Sequence, residues 1–351
     1  MNDIDLKTRY LGLELPHPVM ASASPLTGSV EGICRLADAG AAAVVMASIH
    51  EEQIVAAELA ELALREADGG AHPEANTGYF PAALSDRSVL DERLETLHRA
   101  AQRCGIPVIA SLNGVSPAGW TGFARQLEQA GAAAIELNVF RIPANLSEDG
   151  AQVDRECVDT LRAVKACVRI PVSVKLAPYH SSTGHFALQL MKAGADGLAL
   201  FNRFYEPGID LATLEPQLDF DLSTPADTRL GLAWISLLHG HMGGASLAAT
   251  SGVWSGEDVV RYLLAGADAV MSTSALLRYG PGHVGALVQG LRDWMARHGD
   301  DSVAALRGRL AASHRDGDPG AFLRANYRNI LALAKRHVWP VASNPGSSPA
   351  P

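Results

Sequence analysis

The stretch "LADAGAAAVVMAS", residues 36–48, decides the fold, because its pattern returns three more times along the chain. "LEQAGAAAIELNV" starts at Leu127, "LMKAGADGLALFN" at Leu190 and "LLAGADAVMSTS" at Leu263. Each phrase carries the end of an amphipathic helical pattern through a tight Ala-Gly-Ala or Ala-Gly turn into a short apolar run. Gly40, Gly131, Gly194 and Gly266 stand where a helix C-cap falls. The chain is therefore built of repeated αβ units.

Working outward from these phrases, strands are expected at 17–24, 42–48, 107–113, 133–139, 172–178, 197–202, 245–252 and 269–274. Eight such runs alternate with helical patterns, and all are apolar enough to be buried on both faces. That pattern predicts an α/β fold of the (β/α)8 TIM barrel type rather than an open doubly wound sheet. No early GxGxxG competes with this reading. The barrel is expected to occupy residues 1–285, followed by a C-terminal helical extension over 286–340. The Pro/Ser/Gly-rich end, "ASNPGSSPAP", reads as a disordered tail over 341–351. Residues 66–85, "EADGGAHPEANTGYFPAALS", are long and polar for a loop between strands two and three, and are read as a lid or substrate loop, or as a solvated insertion.

Composition narrows the function class. With 351 residues, 48% of them hydrophobic, and a formal net charge of −9, the chain can bury a large core, and it has no Lys/Arg cluster to serve as a footprint for nucleic acid. The charged N-terminus and the absence of an 18-residue apolar run predict a cytoplasmic protein without a membrane span. The 12 histidines lack metal-ligand spacing. Cys34, Cys104, Cys157 and Cys167 form no CxxC and are read as four reduced thiols, with neither a disulfide framework nor an iron–sulfur or zinc site.

In a barrel the C-terminal strand ends carry the chemistry. Ser22 and Ser24, Ser48, Ser111 and Asn113, Asn138, Asn202, Thr250 and Ser251, and Ser272 to Ser274 stand at those ends, with Lys175 inside strand five. Three carboxamides, one ammonium and a ring of hydroxyls suit a planar ligand with many hydrogen-bonding edges. The last two loops, "TSGVWSGED" and "MSTSALL", suit a phosphate. Taken singly, such hydroxyls cap helices and strands. A buried ammonium needs a partner, and for Lys175 a ligand, an internal ion pair and a Schiff-base role are all open.

The motifs "YLGLELPHPVMASAS", "SLNG", "IELN", "PVSVKLAPY", "LALFN" and "LLAGADAVMSTSALLRYGP", in this order and spacing, resemble the FMN-dependent dihydroorotate dehydrogenase family, in particular its divergent dihydroorotate dehydrogenase-like branch. The resemblance implies non-covalent FMN held by Ala21 and Ser22 beside the ring, Ser48, Asn113, Asn138, Lys175 and Asn202. It places Ser251 and Gly252 where the family has a Gly-Gly pair, and Thr273 and Ser274 where it has Gly-Thr at the phosphate. Lys175 would then face the flavin. The implied catalytic set is Lys175, Asn138 and Arg141, and Asn76, Asn138 and Arg141 are the implied substrate contacts.

The sequence departs from the family at three points, one of them the substrate loop, where "ANTGYFP" around Asn76 lacks the family's spacing. The family's base, a Cys or Ser three residues after the strand-four asparagine, is replaced by Arg141 in "ELNVFR", and a guanidinium is not a base. Ala47 fills the place of a second family lysine. The activity expected is that of an FMN-dependent oxidoreductase acting on a CH–CH bond of a small molecule, with dihydroorotate itself doubtful as the substrate. A protein electron-transfer partner and a homodimer are compatible with this. Two alternatives remain: an FMN-binding barrel without turnover that serves as a partner subunit of a redox complex, and a non-redox Schiff-base enzyme using Lys175. Trp120 and Trp254, next to the site loops, are read as rim packing ahead of flavin stacking. His50, Glu51 and Glu52 stand where they could touch substrate, with solvated loop residues as the default reading, and His180 is a lone loop histidine close enough to the mouth to be a proton donor.

Overall fold

The computed structural model describes residues 4–57, 59–60, 88–114, 117–139, 142–203, 208–217, 221–312 and 319–334. Eight parallel strand positions close into a ring. They are β3 (Val19–Ala21), β4 (Val44–Val45) continued by β5 (Ile49–His50), β6 (Val108–Asn113), β7 (Ala134–Asn138), β8 (Val172–Leu176), β9 (Gly197–Leu200), β12 (Ser246–Thr250) and β13 (Ala269–Ser272). Each pairs with its sequence neighbour, and β13 returns to β3 with Met271 opposite Met20, so the sheet has no open edge. The predicted (β/α)8 barrel is the observed fold.

The strands are shorter than their apolar runs. The run at 17–24 pairs only over Val19–Ala21, and Ser24 already caps the turn Pro25–Thr27. The run at 42–48 divides into β4 and β5, the second reaching His50. Two antiparallel hairpins lie outside the predicted strand runs. β1 (Thr8–Tyr10) pairs with β2 (Leu13–Leu15), and β10 (Gly208–Asp210) pairs with β11 (Glu215–Gln217). Both are made of three-residue strands, too short for an alternating pattern to stand out.

Alternation along the barrel strands separates two cores. Ile135 and Leu137 of β7 and Val172, Val174 and Leu176 of β8 join the outer core, against the helices. The residues between them, Ala134, Glu136 and Asn138 on β7 and Ser173 and Lys175 on β8, take the opposite, luminal face. The lumen holds a second apolar cluster in which Ala199, Ala248 and Ala269 on three adjacent strands leave space for larger groups. Tyr10, Leu11 and Leu15 from the first hairpin belong to that cluster and plug the N-terminal end of the barrel.

The helices are α1 (Val30–Asp38), α2 (Val89–Arg103), α3 (Pro117–Gln129), α4 (Gly150–Cys167), α5 (Thr183–Lys192), α6 (Thr228–Leu238), α7 (Gly256–Ala265), α8 (Ser274–Tyr279), α9 (His283–His298), α10 (Val303–Leu306) and α11 (Pro319–Ala334). Their starts follow from capping. Ser29, Ser88, Asp149 and Ser255 each accept a backbone N–H of the first turn. The four glycines of the repeated turn all have positive φ, from 91° at Gly40 to 117° at Gly266, as the C-cap reading requires. Helix α9 runs across position 285 and seats Val284, Leu287, Leu291 and Met295 in the core. Among the described residues no helix is long and apolar enough to cross a membrane.

One expectation is corrected. Cys34 and Cys104 are joined in a disulfide, with Cα atoms 4.8 Å apart, and only Cys157 and Cys167 are free. Cys34 lies on α1 and Cys104 caps the end of α2, and these two helices pack side by side. A separation of 70 residues carries no spacing signal, so the pairing exists only once the helices are adjacent. The expected lid at 66–85 and the tail at 341–351 lie outside the described residues, as do residues 313–318 and 335–340.

Candidate functional site at the C-terminal mouth of the barrel

Lys175 is buried, and it comes from the middle of a strand whose other face is core. Its Nζ donates to Ser22 Oγ at 3.2 Å, just beyond the end of β3 on the far side of the ring, so the side chain crosses the lumen. The carboxylate of Glu136 lies 3.5 Å from the same Nζ. Register explains the pair. Asn138 is level with Lys175 and Glu136 with Ser173, so the carboxylate sits one luminal layer deeper on the adjacent strand. The internal ion pair that the sequence left open is present, and the ammonium also reaches the mouth.

Around Lys175 the expected polar groups form a connected arc. Asn202 Nδ2 donates to Asn138 Oδ1 at 2.5 Å, Asn138 Nδ2 to Ser48 Oγ at 3.4 Å, and the hydroxyls of Ser48 and Ser111 are 2.8 Å apart. Asn113 is buried at the end of β6, next to this arc. Ala21 ends β3, immediately before Ser22. A cavity of about 860 Å3 opens beside these groups, and Asn113, Gly114, Trp120, Lys175, Tyr179 and His180 line part of it.

The second group of expected residues meets at the ends of β12 and β13. Ser251 and Gly252 both have left-handed backbones, with φ of 78° and 71°. Only a glycine fits at 252, because a Cβ there would stand 2.7 Å from the Thr228 nitrogen and 2.8 Å from the Thr224 oxygen. The Gly252 N–H donates to Ser223 Oγ at 3.2 Å, and that hydroxyl is 2.7 Å from Ser274 Oγ, which also accepts from the Ser223 N–H. Thr273 immediately precedes Ser274 at the start of α8. Tyr262 on α7 donates to the Ser251 carbonyl at 3.0 Å, so the outer core braces this turn.

Sequence reasoning missed two residues here. Glu136 had a signal, because an acidic residue in the apolar run "AIELN" poses the same question as Lys175 and shares a face with Asn138. Ser223 had none, since its loop meets the mouth only through the barrel's closure. His180 does not stand alone. Its Nδ1 is 3.1 Å from Asp154 and its ring stacks on Phe186 with centroids 4.2 Å apart. Trp120 is buried and lines the cavity, and Trp254 donates to the Ser223 carbonyl at 2.7 Å. Glu51 is buried, with its carboxylate against Gly119 of α3, and so is not a solvated loop residue. Arg141 and Asn76 lie outside the described residues.

The family model of dihydroorotate dehydrogenase matches residues 83–295, more than half of the chain and most of this mouth. The chain belongs to the dihydroorotate dehydrogenase family. It is similar to the catalytic subunit of dihydroorotate dehydrogenase B (NAD(+)) from Endomicrobium trichonymphae, 30% identical over 243 residues that cover 63% of this chain and 72% of the relative. A putative dihydroorotate dehydrogenase A (fumarate) from Aeropyrum pernix is 32% identical over 226 residues, 62% of this chain and 72% of the relative. The NAD-dependent dihydropyrimidine dehydrogenase subunit PreA of Escherichia coli is 25% identical over 328 residues, 87% of this chain and 76% of the relative. As a member of this dehydrogenase family the chain is an oxidoreductase, and its relatives divide between two substrate names.

Proposed function

We propose that the barrel mouth binds FMN non-covalently and that the protein oxidises or reduces a carbon–carbon bond of a small cyclic substrate. The observation that carries this reading is the Lys175 ammonium, buried at the mouth, with Ser22 and Glu136 on it and donor capacity to spare. The groups present fit the cofactor's chemistry. Asn113, Asn138, Asn202, Ser22 and Ser48 offer the mixed donors and acceptors that a flavin's polar edge requires. The neutral groups of Gly252, Ser223 and Ser274 are chained by hydrogen bonds of 2.7 to 3.2 Å, a cluster of donors of the kind a phosphate needs. Bound there, FMN would supply hydride acceptance and donation.

The chain's own residues would do the rest. Lys175 holds a positive charge where negative charge develops on reduction, and the Asn138–Asn202 pair fixes the direction of one carboxamide at the mouth. Gly252 and Ser274 would hold the phosphate end, and Ala21 leaves the ring close to the β3 backbone. Arg141 would meet a carboxylate of the substrate or of the 66–85 segment, and Asn76 would reach the substrate from that segment. A cytoplasmic enzyme with a protein electron-transfer partner fits the relative that is a dehydrogenase subunit. The domain limits at 285 and 340 belong to the same reading.

The test has two stages. Purified protein is expected to carry, or to take up, FMN and not FAD, read from the flavin absorption band and by mass spectrometry. Colourless folded protein that ignores added FMN would overturn the reading. Stopped-flow mixing with dihydroorotate is then expected to bleach the flavin slowly, because loss of a positioned base costs about 10² to 10⁴ in rate. Fast bleaching would return dihydroorotate as the substrate.

A further inference from the structure

Glu136 is the least explained group in the barrel. It is fully buried, and neither carboxylate oxygen has a hydrogen-bond partner among the described residues. Burying a carboxylate costs several kcal/mol unless it is paired and hydrogen-bonded, and a single ion pair of ordinary geometry does not recover that cost. An apolar residue of similar size would serve the core at least as well. Stability therefore gives no account of Glu136.

Its position does. Asp, Glu, Lys and Arg are otherwise missing from the luminal faces of the described barrel strands, so Glu136 and Lys175 are the two charges that these strands place inside. The carboxylate lies on the deeper, plugged side of Nζ, while Ser22 and the mouth lie on the other. Tyr10, below it, feels the same charge: burial raises its phenol first, and the Glu136 carboxylate raises it further. The site is thus presented with an ammonium backed by a carboxylate and not with a bare cation.

We infer that Glu136 is a positioning residue that holds the Lys175 ammonium across the lumen and partly cancels its charge, so setting the reduction potential of the flavin bound above it. This rests on the FMN reading. Removing the carboxylate leaves the full positive charge under the flavin, favours the anionic reduced form and raises the midpoint potential. Removing the ammonium does the reverse. A purely structural Glu136 would lower stability without giving the two partners opposite signs.

The experiment compares the FMN-loaded wild type with Glu136→Gln, Lys175→Met and the double variant, by spectroelectrochemistry and with circular dichroism as the check on folding. The expected order of midpoint potentials is Glu136→Gln above wild type, Lys175→Met below it, and the double variant between the two. The preference for reduced over oxidised FMN in Glu136→Gln should rise on the order of tenfold, the scale of one charge acting across a partly buried site. If Glu136→Gln fails to fold, the double variant, which buries no unpaired charge, must still lie above Lys175→Met. A Glu136→Gln potential at or below wild type, or a double variant at or below Lys175→Met, overturns the inference. Wild type that binds no FMN removes the cofactor reading and this inference with it, and is recognised before any variant is compared.

Discussion

A tyrosine at the bottom of the barrel and a serine at its top show how single side chains report their surroundings. Burial, with Glu136 adding to it, holds the Tyr10 phenol protonated well above its ordinary range, and burial does the same for Tyr262. In the unfolded chain both titrate near pH 10. Below that pH neither state ionises and nothing is lost. Above it the unfolded state releases protons that the folded state keeps, so stability declines by about 1.4 kcal/mol per pH unit for each such group. Urea melts at pH 8 and pH 11 should show this decline, and Tyr10→Phe should make it smaller. An identical decline in that variant would mean that Tyr10 is not the group responsible. At the mouth, Ser274→Glu would set a carboxylate beside the Ser223 hydroxyl and the Gly252 turn. It is expected to weaken FMN binding by about tenfold or more while leaving the fold intact. Unchanged affinity by fluorescence quenching would place the phosphate at other strands.

At the scale of elements, α7 and α9 touch backbone to backbone. A Cβ on Gly256 would lie 2.4 to 2.6 Å from the backbone of Gly290 and Leu291, with no flexible side chain able to yield. Replacing glycine in a helix by alanine ordinarily gains about 0.5–1 kcal/mol. Here overpacking decides the sign, and Gly256→Ala is expected to cost about 1–3 kcal/mol, read as a lower Tm. An unchanged or higher Tm would show that the two helices slide apart freely. The crossing matters for the site because α7 carries Tyr262, which braces the Ser251 carbonyl. The same packing explains why the helix–turn–strand phrase at 36–48 and its repeats were legible in the sequence. Each barrel strand is apolar on its outer face and mostly small or polar within, and no surface exposure interrupts it.

For the whole molecule, the disulfide between Cys34 and Cys104 ties α1 to α2 across the second barrel strand. Closing a loop of 70 residues restricts the unfolded chain, and Cys34→Ser or a reductant is expected to lower stability by about 2–4 kcal/mol. Thiol titration in denaturant checks the pairing independently: the two free cysteines, Cys157 and Cys167, should react before reduction, and all four after it. In the native state Cys157 should stay inert, because burial and Asp154 push its thiol up to about 12. Four reactive thiols in denaturant without reductant would rule the bridge out.

The sequence by itself determined the barrel, its repeated glycine turns, and the roster of polar residues at the strand ends. All of these follow from local periodicity, capping chemistry and the rule that parallel strands end at one mouth. It also placed the departure at Arg141. Only the tertiary structure decided what those residues face. Lys175 meets Ser22 from across the ring and Glu136 from the next strand, and Ser223 joins Ser274 from a loop 51 residues away. Cys34 finds Cys104, and the first hairpin plugs the lumen. Each of these contacts joins residues distant in the chain, and their separation is fixed by closing the barrel rather than by any spacing along it.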